Sequence, residues 1–138
     1  MSSEEQAEAY FEEAELTLES AEAIYSSAED SGENLWAQVV KNGYDAIEQA
    51  ASAGIAAENE AIPQNHPSKI NNFIELYDPR EKVEDIFLHW LQRRSSSQYV
   101  DIRGDEINIP HEQFTQEDAE QILQDIETVL DHVREQLD

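Results

Sequence analysis

The chain has 138 residues, no cysteine, and 32 acidic against eight basic side chains, for a net charge of −24. Its length suits a single domain, residues 1–138, able to bury roughly two-thirds of its unfolded surface, and the missing cysteine excludes disulfides and thiolate metal sites. No apolar run approaches the roughly 18 residues needed to cross a bilayer, and so acidic a chain is ill suited to general phosphate-backbone binding, which needs clustered Lys and Arg.

The opening, MSSEEQAEAY, lacks the basic-then-apolar order of a signal peptide, so a cytoplasmic location with no membrane contact is expected. Acidic residues interleave with regular apolar positions, which reads as solvated helix faces rather than disorder. Lys41, Lys69 and Lys82 are the only lysines. Such a surface resembles proteins from organisms with molar internal salt, where repulsion is screened within about 3 Å at 1 M; a basic partner is the other explanation.

In chain order, residues 4–29 carry a stripe of Ala7, Phe11, Ala14, Leu18, Ala21, Tyr25 and Ala28. Alternating steps of about four and three keep one helix side apolar, and Gly32 is placed to close the helix in the left-handed conformation. A second helix, residues 34–58 with Asn34 as N-cap, turns Trp36, Val39, Val40, Gly43, Ile47, Ala50, Ala51 and Gly54 inward. Its small contact face marks it as the central helix. AIPQNHP (61–67) breaks the pattern, and a short helix over 68–77 buries Ile70, Phe73, Ile74 and Tyr77. Asp78-Pro79-Arg80-Glu81 reads as a capped start for the next helix. There Val83, Ile86, Phe87, Trp90 and Leu91 form one face and Ser95-Ser96-Ser97 ends it. Residues 100–114 read as a loop, or at most a poor hairpin, tucked against the bundle. Thr115 to Asp118 cap a last helix with a stripe from Ala119 to Leu137.

Four long helices plus one short helix predict an all-α, up-and-down antiparallel bundle. The helix from Val83 is apolar over more than a third of its circumference, and Trp36, Tyr44 and Tyr77 add aromatic surface. A homodimer is expected to cover that region. Two of the eight basic residues, Arg93 and Arg94, stand together at the helix end. Arg94 lies four residues after Trp90 and seven after Phe87, on the apolar track, which makes this end the place for a site. The plain alternative is C-terminal helix stabilisation with Arg94 stacked on Trp90. His66 reads as a hydrogen-bonded linker residue, and His89 and His132 as rim positions. No histidine pair has the spacing of a helical zinc motif, so neither metal nor cofactor is expected.

The order of these features resembles a HEPN domain (higher eukaryotes and prokaryotes nucleotide-binding), of a prokaryotic type. The resemblance rests on AEAYFEEAELTLESAEAIY, YDAIEQAASAGIA, IPQNHPSKINNF, RSSSQYVD and the closing FTQEDAEQILQDIETVLDHV, which together cover nearly the whole chain. It implies a dimerising helical bundle, and in many members a metal-independent ribonuclease with an Arg, four to six residues, then a His. From Arg93 those positions hold Gln98, Tyr99 and Val100, and from Arg94 they hold Tyr99, Val100 and Asp101. The missing imidazole is the side chain suited to moving a 2′-hydroxyl proton near neutral pH. The expectation is therefore a non-catalytic homodimer that binds a nucleotide or RNA through Arg93, Arg94, Gln98 and Tyr99. A small nucleotidyltransferase would be its partner, as in toxin–antitoxin pairs. A ribonuclease with a degenerate Arg94, Gln98 and Tyr99 site, and a purely structural assembly module, are the alternatives.

Overall fold

Small residues set the centre of the fold. On Trp36–Ala57 (α2) Gly43, Ala46, Ala50, Ala51, Ala53, Gly54 and Ala56 are buried, so neighbours rest on the helix backbone itself. A Cβ on Gly43 would lie 2.9 Å from Ile122 Cδ1, and one on Gly54 would lie 2.5 Å from Phe73 Cε2. The computed structural model describes residues 2–98 and 100–138, without the side chains of Ser95, Ser96, Gln98, Asp101, Arg103 and Asn108.

Around α2 stand Ser3–Ser31 (α1), His66–Tyr77 (α3), Glu81–Gln98 (α4) and Gln116–Leu137 (α6). A hairpin, Asp101–Arg103 (β1) with Glu106–Asn108 (β2), and a one-turn helix, Pro110–Gln113 (α5), lie between α4 and α6. α1 pairs with α6, α3 pairs with α4, and all four touch α2. The four long helices alternate in direction, as an up-and-down bundle requires. α3 departs from the alternation. His66 and Lys69 at its start meet Glu48, while Phe73 and Tyr77 further along meet Gly54, so α3 runs the same way as α2. The proline-containing link between them provides the return.

The expected stripes are buried on α1, α2 and α6, apart from Tyr25, Trp36, Leu123 and Leu137, which are partly buried. The Ser2 hydroxyl caps α1 by accepting from the Glu5 amide at 3.1 Å, and Gly32 closes it at φ 75°. Thr115 and Asp118 form a reciprocal capping box on α6. At the far end Arg134 lies 4.1 Å from the Phe11 ring centre and binds Glu8 at 2.8 Å, tying α6 to the start of α1.

Three local expectations are corrected. Asn34 does not cap α2, which starts after Leu35; its amide donates instead to the His111 carbonyl at 2.8 Å and anchors α5. Asp78 closes α3 at φ 41° rather than opening α4, whose first turn bonds back to the Arg80 carbonyl. The serine run does not stop α4 at Ser95. The helix continues to Gln98, and Ser97 is buried with its hydroxyl donating to the Arg94 carbonyl at 2.7 Å.

The aromatic surface is also redistributed. Tyr44 and Trp90 are each 1% exposed, so both belong to the core. The Trp90 indole donates to Asp125 Oδ2 at 2.8 Å. Phe73 stacks on Phe87 and Tyr77 with ring centres 4.9 and 5.0 Å away. Residues 100–114, expected to tuck against the bundle, divide: the hairpin leaves Val100, Ile102 and Ile107 more than half exposed, while α5 packs on α2 and α4 and Phe114 is buried.

Two outcomes test this packing. Gly54→Ala gains about 1 kcal/mol of helix propensity but drives a methyl into the Phe73 ring, where overpacking costs roughly 1–3 kcal/mol. The clash should win, and urea denaturation should show a lowered midpoint. His132 packs its ring edge on Phe73, and burial pushes its pKa down; Arg80 also lowers it, while Glu135 opposes. A folded-state pKa below the ordinary value means stability is complete above that value and falls as pH drops through it. The urea midpoint should decline from pH 7.5 to 5.5, and less so in His132→Leu.

Candidate functional site

The adjacent arginines at the end of α4 do different things. Arg93 Nη1 donates to Asp118 Oδ1 and Nη2 to the Gln113 carbonyl, both at 3.0 Å. Its guanidinium lies 4.4 Å from the Phe114 ring centre and 6.0 Å from that of Trp90. Burial alone would raise the Asp118 carboxyl; the Thr115 amide and Arg93 outweigh it and hold the carboxyl below its usual range. Arg93 is therefore a strap joining α4, α5 and α6, and it is Arg93, not Arg94, that lies over Trp90.

Arg94 points its charge elsewhere. Half-buried at the end of α4, it acts electrostatically on the Tyr44 hydroxyl and the Asp45 carboxylate of α2. Gln98 ends α4, its side chain outside the described residues, and Tyr99 lies outside them altogether. Of the four residues expected at the site, Arg94 alone reaches a polar cluster that the structure describes.

That cluster is built on α2. Tyr44 and Glu48 are four residues apart, with Asp45 between them, so all three share one edge of the helix. Glu48 is 7% exposed. One of its oxygens pairs with His66 Nδ1, and the other accepts from Lys69 Nζ at 2.9 Å. His66 and Lys69 are delivered together by the first turn of α3, whose N-cap Asn65 accepts from the Ser68 amide at 2.8 Å. The Tyr44 hydroxyl, buried beside them, makes no hydrogen bond of ordinary geometry.

The electrostatics follow from this crowding. Burial alone would raise the Glu48 carboxyl, but Tyr44, Lys69 and His66 together hold it below the usual range. Burial pushes the Asp45 carboxyl up and Glu48 adds to this, while Lys41, Arg94 and His66 pull the other way. Burial, then Glu48, pushes the Tyr44 hydroxyl well above its ordinary value. Tyr44 is thus locked as a neutral phenol. Three of the eight Lys and Arg side chains (Lys41, Lys69 and Arg94), with His66, surround two carboxylates.

A cleft of about 330 Å³ opens beside the cluster, lined by Tyr10 and Thr17 of α1, Asp45, Glu48 and Gln49 of α2, and Lys69 of α3. His66 lies outside that lining and reaches it through Glu48. Its Nδ1 is taken by Glu48 and its side chain is 39% exposed, so Nε2 is the ring nitrogen that Glu48 leaves open. Among the described residues no group of three or more His, Asp and Glu side chains is arranged to hold a metal ion.

Sequence reasoning missed Tyr44, Asp45, Glu48 and Lys69 as a site. Glu48 next to Ile47 on the buried face of α2 was the available signal, since a carboxylate there must find partners.

Removing Glu48 should be costly. Glu48→Ala deletes the acceptor shared by His66 and Lys69, and a loss of roughly 1.5–3 kcal/mol is expected for hydrogen bonds to charged groups. A carboxyl with a lowered folded-state pKa contributes fully above its unfolded value and loses that contribution as pH falls through the folded one. The wild-type advantage, measured by urea denaturation at pH 7, should therefore disappear in acid.

Comparison with known families bears on the whole bundle. No curated protein and no solved structure matches the chain significantly. The family model described as HEPN domain matches residues 7–136, from the first buried turn of α1 to the last turn of α6. With nearly its full length matched, the chain belongs to the HEPN domain family.

Proposed function

We propose that this HEPN domain is a homodimeric, non-catalytic binding module for a nucleotide or RNA, acting beside a small nucleotidyltransferase in a toxin–antitoxin-like pair. One observation carries the reading. In a chain of net charge −24, Lys41, Lys69, Arg94 and His66 converge on one junction of α2, α3 and α4, next to an open polar cleft. A phosphate approaching this protein meets long-range repulsion almost everywhere, so its recognition has to be local. The missing motif histidine supports a binding role over a cutting one.

One observation favours ribonuclease activity as a second reading. Glu48 orients His66 as a carboxylate orients a general base, and Arg94 acts on the same cluster. His66 would then supply the imidazole that the residues after Arg94 lack, taking the 2′-hydroxyl proton while Arg94 offsets phosphate charge.

Fluorescence anisotropy with labelled RNA and a labelled nucleotide separates the readings. The binding module should hold a probe without cutting it, and Arg94→Ala should weaken binding about tenfold, equal to about 1.4 kcal/mol. RNA fragments that form with wild type and vanish in His66→Ala would replace the binding reading with the ribonuclease one. Failure to bind either probe from 0.1 to 2 M KCl would sink both. The same salt series tests the halophilic reading of the acidic surface, for which the urea midpoint should climb as repulsion is screened.

A further inference from the structure

Among the described residues, nine of the ten Tyr, Phe and Trp rings meet another ring or a guanidinium. Arg134 covers Phe11, Arg93 covers Phe114, and the other seven lie against neighbouring rings. The tenth is Tyr10 of α1, which has neither kind of contact and is 37% exposed. The same side chain borders two open spaces. One is the cleft of about 330 Å³ beside Glu48, and the other, of about 380 Å³, it shares with Gln6, Ala9 and Glu13. An aromatic ring so placed has an uncovered face to offer a second flat ring.

The cleft lining says what such a ring would be attached to. Thr17, Asn42, Gln49 and Ser52 are neutral groups, each with a side-chain oxygen that can accept a hydrogen bond. The Asn42 amide already donates to the Gln38 carbonyl at 2.9 Å, which leaves its oxygen as the free end. Lys69 is the cation of the lining, and Glu48 holds it at 2.9 Å with Asp45 close by. An anionic group therefore gains little inside, whereas hydroxyls and amines find acceptors. The volume is at the small end of the roughly 300–1,000 Å³ of ligand pockets, which suits one compact unit. We propose that Tyr10 is the stacking platform for one planar base, and that the cleft takes the uncharged base and sugar of a single nucleotide. The phosphate is left to Lys41 and Arg94, which lie outside the lining but act on Asp45 within it. A continuous strand is excluded by charge. Its next phosphates would pass along α1, where Glu13 borders the second space and ten acidic residues stand with no basic one. Stacking tolerates any base, because each has a π-face, so Tyr10 selects for a base without fixing which. The proposal rests on the nucleotide reading above and adds the part of the ligand that enters the cleft and the side chain that holds it.

Titration calorimetry with the common ribonucleoside 5′-monophosphates, the matching nucleosides and a tetranucleotide tests it. Wild type should bind at least one monophosphate and its nucleoside, and the tetranucleotide no more tightly than the monophosphate. Tyr10→Ala should weaken nucleoside and monophosphate alike by about tenfold, while Tyr10→Phe, which keeps the ring, should stay within about threefold of wild type. Arg94→Ala should weaken the monophosphate and leave the nucleoside within about threefold. Helix content by circular dichroism should be unchanged in Tyr10→Ala, since the ring rests on no other ring. Monophosphate binding indifferent to Tyr10→Ala overturns the platform and leaves the nucleotide reading standing. Equal losses in Tyr10→Phe and Tyr10→Ala assign the effect to the hydroxyl and overturn stacking. A tetranucleotide bound about tenfold more tightly than the monophosphate overturns the single-nucleotide claim. Wild type that binds neither nucleoside nor monophosphate overturns both this proposal and the nucleotide reading beneath it.

Discussion

The absence of side-chain bulk on α2 is the constraint everything else obeys. Each interior glycine costs a helix about 1 kcal/mol against alanine, and Gly43 and Gly54 are both retained where a Cβ would strike Ile122 or Phe73. What the helix gains is contact at backbone distance. At Gly54 the Phe73 ring and the Tyr77 hydroxyl settle together, the hydroxyl donating to the Gly54 carbonyl at 2.6 Å. Six residues earlier Glu48 takes hold of the other end of α3 through His66 and Lys69. α3 is therefore fixed at both ends on one helix, which is why it runs parallel to α2 and why His66 is delivered to the cluster at all.

The same close packing explains the electrostatics. A carboxylate brought this near the centre of a bundle would ordinarily gain a proton. Glu48 stays ionised because Tyr44, Lys69 and His66 are all within reach. Burying charge in this way is weak evidence for stability, since packed apolar residues can do as well. It is better evidence for orientation. An imidazole fixed through Nδ1 has a defined tautomeric preference and a defined outward nitrogen, and neither is needed merely to dock a helix.

Much of the fold was legible because periodicity is a local property. The stripes of α1 and α6, Gly32 as a terminator and the Thr115–Asp118 cap depend on residues within a few turns, and they stand where spacing puts them. What failed to show depends on residues far apart. Asn34 looks like a cap until the His111 carbonyl, 77 residues on, claims its amide. Arg94 lies on the apolar track under Trp90, yet Arg93 finds the aromatic partner because Phe114 comes in from beyond the hairpin. Glu48 was hidden by abundance, one acid among 32, its role fixed by a histidine 18 residues later. Residues 100–109 carry alternating apolar positions that resemble a strand pattern, but no local rule says whether such a pair of strands folds inward or projects.

Charge partition links the fold to the proposed activity. Had the acid been spread evenly, any association with a phosphate or a second copy would face repulsion from all sides, relieved only at high salt. Concentrating it on α1 and α6, which hold 17 of the 32 acidic residues and one of the eight Lys and Arg, leaves α2, α3 and α4 nearly neutral, and there Arg94, His66 and Lys69 gather. The acidic faces then contribute solubility, and they act as a filter on how copies meet. Like charge costs more the closer two surfaces come, so encounters through α1 or α6 are disfavoured.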